Sequence, residues 1–368
     1  MILIMDIVRG LAALWVFFYH SKQIFAQSSP LLYELAKYGH LGVPMFFVIS
    51  GYVIAYSAES SLSKNASPKD FLKKRFLRIY PTFWASIIVV ILMPYAIEFI
   101  AMFKSGTYIQ PISLLSKMSS IEWLYFVSLT KVFFSNGSNV QEQFNAINSV
   151  YWSLAIEFQF YLLVYLALHF KKHFKKILLI VTGASFLNQV LGIELSGGLF
   201  IHYWQMFACG LALAYLHKGN IYFQKIVTKH TLIISSLLNI IILISLITYI
   251  DFNLTISNFS FAVIFVLMLW IVAPFEDALV QLKRGRITKY FLELFLILGA
   301  MSYSVYLLHA KLYQIPEMFV RQIIEPSNIA YGILTIVLTI VLCAPFYYFI
   351  ERSFMSKNYS KIHKNIIS

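Results

Sequence analysis

The chain has 368 residues, of which 60% are hydrophobic and only 12% charged. A mean hydropathy of +0.74 excludes an ordinary water-soluble globule, in which charged residues approach a quarter of the total. The net charge of +13 lies in short loops that form no folded domain, so it reads as membrane anchoring and not as nucleic-acid binding.

Apolar runs of spanning length fall at 3–22, 40–57, 82–103, 149–168, 177–194, 199–217, 231–250, 257–274, 292–311 and 329–350, each near the ~20 residues a helix needs to cross the hydrocarbon. They predict an all-α integral membrane protein, a polytopic bundle of about ten transmembrane helices. Residues 1–351 form the membrane domain and 352–368 a short basic cytoplasmic tail. With a cytoplasmic amino terminus, the inward loops carry 21 Lys and Arg and the outward loops 7, the bias of the positive-inside rule, which puts both termini in the cytoplasm. Cys209 and Cys343 fall inside predicted spans and offer no disulfide framework. The first span has no basic leader and carries Asp6 and Arg9, so it is expected to stay as a structural helix.

That first run, RGLAALWVFFYH, holds the most informative pair, Arg9 and His20. Eleven steps of ~100° return a helix to within about 20°, so both groups project from one face, separated by roughly 16 Å. Asp6 joins the stripe. An ionised group at membrane depth costs on the order of 2.5–3.5 kcal/mol on the gentlest insertion scale, so such residues face a bundle interior, a cavity or each other.

Further clusters follow in chain order. In GHLGVPMFFVISGYVI at 39–54, which begins beside His40, Gly42, Ser50 and Gly51 thin the second span. Residues 58–81 end in a basic amphipathic helix, FLKKRFLRIYP, closing at Pro81, and its Arg75 and Arg78 share a face that suits either holding a phosphate or anchoring the helix at the inner surface. The long outer segment 104–148 contains IEWLYFVSLTKVFF, too short to span and followed by the turn-like NGSN at 136–139. It reads either as a lid or re-entrant segment, or as an interfacial helix resting on the bilayer through Trp123, Tyr125 and Phe133. In YWSLAIEFQFY, Ser153 and Glu157 lie four apart in the outer half, and Glu157 needs a partner. MSYSVYLLHAKL places Tyr303, Ser304, Tyr306 and His309 on the ninth span, where His309 is equally readable as a satisfied core histidine.

Arg9, Arg75 and Arg78 lie toward the cytoplasm, and His20, His40, Glu157 and His309 in the middle or outer half. An anionic donor made in the cytoplasm can leave its phosphates among the arginines and extend a long arm to His20. That histidine then acts as general base or as acyl carrier, with Glu157 or Asp6 orienting it. No His and Glu set shows metal-ligand spacing on one helix, so no metal is expected.

DIVRGLAALWVFFYH resembles the opening helix of the acyltransferase-3 family, membrane acyltransferases of the O-antigen acetylase type, and GVPMFFVISGY, RFLRIYP, WSLAIE and SYSVYLLH match its later motifs in order. The resemblance covers essentially the whole chain. It implies acyl-CoA, usually acetyl-CoA, as acyl donor and a hydroxyl of an envelope carbohydrate as acceptor, free or lipid-linked, such as O-antigen or exopolysaccharide. The site in a bacterial inner membrane would comprise catalytic His20 with Glu157 and Asp6, donor contacts Arg9, Arg75 and Arg78, and substrate contacts Trp152, Ser153, Tyr303, Ser304 and His309. Where many members follow the last span with Glu-Arg-Pro, this chain has Glu351-Arg352-Ser353, and no role is carried onto that corner. The esterase-like domain fused to some relatives is expected to be missing, since 352–368 is too short for one. The competing reading is a proton- or ion-coupled secondary transporter using Asp6, Arg9, His20 and Glu157 as a relay. A glycan-binding membrane scaffold is a third.

Overall fold

The computed structural model describes residues 2–135, 140–193, 195–218, 254–273, 276 and 286–355. The run 231–250, the NGSN turn and residues 356–368 of the tail lie outside the described residues. With no water in a bilayer core to satisfy backbone groups, a chain this apolar must bond its N–H and C=O groups within helices, and every described element is helical.

Helix α1 (Ile2–His20) runs without a break and is followed by a short α2 (Pro30–Lys37), which starts on a Ser29 cap with Pro30 in the first turn. Helix α3 (Gly42–Ser63) returns beside α1. Helix α4 (Pro68–Ser105) starts on a Ser67 cap and ends at Gly106, whose positive φ of 72° suits a residue without Cβ.

One sequence expectation is corrected in this half. The basic inner helix does not end at Pro81, because α4 passes through both Pro81 and Pro94. Proline forfeits one backbone donor, and here the flanking residues pin the helix from outside. The Tyr80 hydroxyl donates to Ser128 O at 2.9 Å and Trp84 Nε1 to Val127 O at 3.0 Å. The outer segment is also packed into the bundle. Its α5 (Ser120–Val127) carries a reciprocal Ser119–Glu122 capping box, and Phe126, Val132, Phe144 and Ile147 from this segment are buried in the main core. Phe126 packs against the rings of Phe83 and Tyr151, and Asn148 Nδ2 donates to Leu307 O at 2.9 Å.

Helices α6 (Trp152–His169), α7 (Phe174–Leu191), α8 (Trp204–Lys218) and α9 (Leu254–Val272) complete the central layer. Helix α3 packs along α8 at Gly51 and Gly210, each turned toward the other helix's backbone carbonyls. Lipid tails are as apolar as these side chains, so close packing and interhelical hydrogen bonds hold such contacts where water expulsion cannot. Interlocking rings of Phe47, Phe160, Trp204 and Phe207 do this at the centre. Large apolar side chains such as Leu92, Phe103, Val190 and Phe349 stay exposed and suit a lipid-facing surface.

The expected ninth span is broken. Helix α10 (Arg286–Ala300) and α11 (Ser302–Leu312) meet at Met301 with a bend of 75°. A short α12 (Gln314–Val320) then leads to α13 (Ile329–Phe349), which a single-turn helix, Glu351–Phe354, terminates. Six described helices are long and apolar enough to cross a membrane, or seven if the bent pair counts as one span.

Candidate active site

The site is built where α1 meets α3 and the bent α10–α11 pair, with α4 packed on α11 and α6 on α3 and α4. Helix α1 reaches α10 closely because Gly10 and Gly299 oppose each other; a Cβ on Gly10 would stand 2.8 Å from Gly299 N. This close crossing sets Asp6 and Arg9 beside the α10–α11 bend.

At one end the arginines gather. Arg9 Nη1 lies 3.7 Å from the buried Asp6 Oδ1. Arg75, near enough to Arg9 and Arg78 for their charges to interact, packs over the rings of Phe71 and Tyr161, and its Nε is buried without a hydrogen-bond partner. Glu157 accepts from Ser50 Oγ at 2.7 Å and from the Tyr161 hydroxyl, and its charge is felt at Arg75. The sequence reading set Arg75 and Arg78 at the cytoplasmic side and Glu157 in the outer half. They come together because α4 begins two turns before Arg75 and because the buried turn Ser149–Tyr151 feeds α6 from within the bundle.

Glu351, to which sequence reasoning gave no role, completes this end. It is fully buried, its Oε1 lies 3.0 Å from Arg78 Nη1, and its Oε2 accepts from Ser304 N at 3.0 Å and Ser304 Oγ at 2.6 Å. The break at Met301 leaves the first N–H groups of α11 without intrahelical partners, and a carboxylate at that positive end of the helix supplies one. Nothing in the sequence pairs Glu351 with Arg78, because only the bent helix brings them together. Tyr161, also missed, carried a signal: it lies four residues after Glu157 on the same helical face.

Along α11, Tyr303, Tyr306 and His309 recur every three residues and lead from the arginines toward the far end of α1. Arg78 lies over the Tyr303 ring, whose hydroxyl donates to Ile79 O at 3.0 Å. Ser153 Oγ and the Tyr306 hydroxyl are 2.6 Å apart, and that hydroxyl also reaches Val150 O at 3.0 Å. Trp152 packs on Tyr203 and Phe47.

The far end is an imidazole cluster. His20, half-buried, has its ring centroid 5.2 Å from that of the fully buried His309. His309 Nδ1 bonds Val305 O at 2.9 Å, while Nε2 is buried without a partner. Tyr19 stands between His20 and His40, and His40 Nδ1 bonds Lys37 O at 3.0 Å. Asp6 lies roughly 21 Å along α1 from His20 by helix rise, and with Arg9 it belongs to the arginine end. Glu157 likewise bonds Ser50 and Tyr161 at that end. Among the described residues no group of three His, Cys, Asp or Glu is placed to hold a metal ion.

Comparison with known proteins gives the arrangement a family. The chain is 31% identical over 193 residues to the peptidoglycan O-acetyltransferase OatA of Listeria monocytogenes, covering 50% of this chain and 28% of that protein. It is 31% identical over 173 residues to the O-acetyltransferase OatA of Staphylococcus aureus, covering 46% of this chain and 25% of that protein. Against protein 2 in the picA locus of Rhizobium radiobacter it is 34% identical over 82 residues, or 22% of this chain and 39% of the relative. The chain thus spans well under two thirds of the length of these relatives. No solved structure matches it. The acyltransferase-3 family model, described as an acyltransferase domain, matches residues 2–348, and the chain belongs to that family.

Proposed function

We propose that this protein is a multi-pass inner-membrane O-acyltransferase with both termini cytoplasmic, moving an acetyl group from cytoplasmic acetyl-CoA to a hydroxyl of a cell-envelope carbohydrate, free or lipid-linked. The observation that carries the reading is Arg75. A buried guanidinium nitrogen without an acceptor costs about 1–3 kcal/mol or more, and a phosphate group meets that deficit. Arg75 and its neighbours Arg9 and Arg78 hold the anionic end of the donor, with Glu157, Asp6 and Glu351 keeping these cations in place when the donor is absent. Trp152, Ser153, Tyr303, Ser304 and His309, on α6 and α11 between the arginines and His20, serve as substrate contacts.

His20 takes the proton of the acceptor hydroxyl. The oxygen attacks the thioester carbonyl carbon, the C–S bond breaks, and the departing thiolate recovers the proton from the imidazolium, leaving an ester and a free thiol. The likeness to the peptidoglycan O-acetyltransferase OatA of Listeria monocytogenes supports an envelope polymer as acceptor.

The test uses purified full-length protein with acetyl-CoA and glycan extracted from the host envelope. Thiol release should require the glycan and vanish in His20→Ala, while the variant elutes as folded protein. Retained thiol release in His20→Ala sinks the proposal, and glycan-independent ion flux in vesicles favours the transporter reading.

A further inference from the structure

A general base needs its ring fixed in one tautomer, a task usually given to a carboxylate that accepts from the second ring nitrogen. Among the described residues no carboxylate lies within ion-pair distance of His20, and its charged neighbours are the ammonium groups of Lys22 and Lys311. The group beside it is another imidazole. His309 is held on three sides: its ring packs 5.5 Å from Phe17 and 6.0 Å from Tyr306, and its Nδ1 is bound to Val305 O. The carbonyl can only accept, so Nδ1 carries the proton and Nε2 presents a bare lone pair. That lone pair is buried with no partner, a deficit that a merely structural histidine has no reason to carry.

We propose that His309 is a positioning residue that acts through His20, with its Nε2 accepting a hydrogen bond from one ring N–H of His20. This rests on the reading of His20 as general base. A ring-centroid spacing of 5.2 Å lets two facing ring nitrogens reach the ~2.9 Å of a hydrogen bond by rotation of the His20 ring. The bond leaves the other His20 nitrogen as the lone pair that takes the acceptor proton. When His20 becomes an imidazolium, the same bond becomes charge-assisted and strengthens, so it favours the transition state over the ground state. His309 itself neither gains nor loses a proton across the cycle. A neutral acceptor serves here where a carboxylate would need its own counter-charge at this depth.

Two variants and one spectroscopic measurement test this on the full-length protein in detergent. His309→Phe preserves a ring against Phe17 and Tyr306 but removes the acceptor. It should lower kcat by roughly 100-fold, at the low end of what proton transfer contributes, with the KM for acetyl-CoA unchanged. His309→Gln offers an amide oxygen and should recover most of the loss, to within about tenfold of the native rate. Histidine-selective 15N correlation spectra, which need no activity, should show single tautomers for His20 and His309 in the native protein and a mixture for His20 in His309→Phe. If His309→Phe does not fold, the native spectrum and His309→Gln decide alone.

The proposal is overturned by a native kcat in His309→Phe, by a loss confined to the acetyl-CoA KM, by no recovery in His309→Gln, or by mixed tautomers for His20 in the native protein. Activity that survives His20→Ala would defeat the proposed function instead, while the tautomer spectra would still report whether the two rings are paired.

Discussion

Removing the Glu351 carboxylate should be among the most damaging single changes outside the imidazole cluster. The side chain is fully buried, while that of Arg78 is 26% exposed. Breaking a buried ion pair by deleting one partner typically costs about 3–5 kcal/mol, and the partial exposure of Arg78 places the charge component near the lower figure. Glu351→Ala also strands Ser304 N and Oγ, two donors to a charged acceptor at distances of 3.0 and 2.6 Å. These losses overlap with the charge penalty, so we expect a total near 4 kcal/mol. Glu351→Gln keeps an oxygen for Ser304 and should lose only about half as much. The assay is unfolding of purified protein in mixed micelles by titrated SDS, followed by tryptophan fluorescence, on Glu351→Ala, Arg78→Met and the double variant. A positive coupling of about 2 kcal/mol or more is expected, since the second deletion relieves the charge stranded by the first. Strict additivity, or native stability in Glu351→Ala, would refute the account of this corner.

Gly299→Ala forces a Cβ into the Asp6 carbonyl across the α1–α10 crossing. It should cost about 1–3 kcal/mol in the same unfolding assay, and native stability would show that the crossing yields freely. In the outer segment, the Ser119 backbone and side-chain hydrogen bonds, with the charge of Lys131, hold the Glu122 carboxyl below its ordinary pKa. A depressed folded pKa adds stability that is fully present above the ordinary carboxylate range and is lost as pH falls through the folded value. Hydrogen-exchange protection at the start of α5 should therefore be level near neutrality and decline on acidification below that range, and Glu122→Gln should abolish the dependence. A decline that persists unchanged in Glu122→Gln would assign the effect to another group.

Class and many residues of the candidate site were legible in the sequence for one reason: charge is so costly in an apolar run that each ionisable residue announces itself. The eleven-residue step from Arg9 to His20 needed only helical periodicity. Less local features were hidden. The run 292–311 has no proline, and the Gly299 and Ser302 that flank Met301 are too weak a local signal to announce a 75° bend. Its cause lies in tertiary partners, chiefly the carboxylate of Glu351 at the start of α11 and the backbone contact at Gly299. Pro81 misled in the opposite direction, since propensity alone cannot see Tyr80 and Trp84 tied to the segment beside α4. The Ser119-x-x-Glu122 capping signature, by contrast, was present in the sequence and passed over.

The unbroken course of α1 makes it a gauge. Arg9 and His20 lie eleven residues apart on one unbroken helix, so on the proposed reading the gap between the donor's anion and the reacting atom is set by peptide geometry at ~1.5 Å per residue and not by any loop. Lengthening that stretch by one residue would move the imidazole along the axis by one rise and swing it by a quarter turn or more, away from its neighbour on α11. If the proposed donor site holds, the reach demanded of a donor is thus written into a residue count.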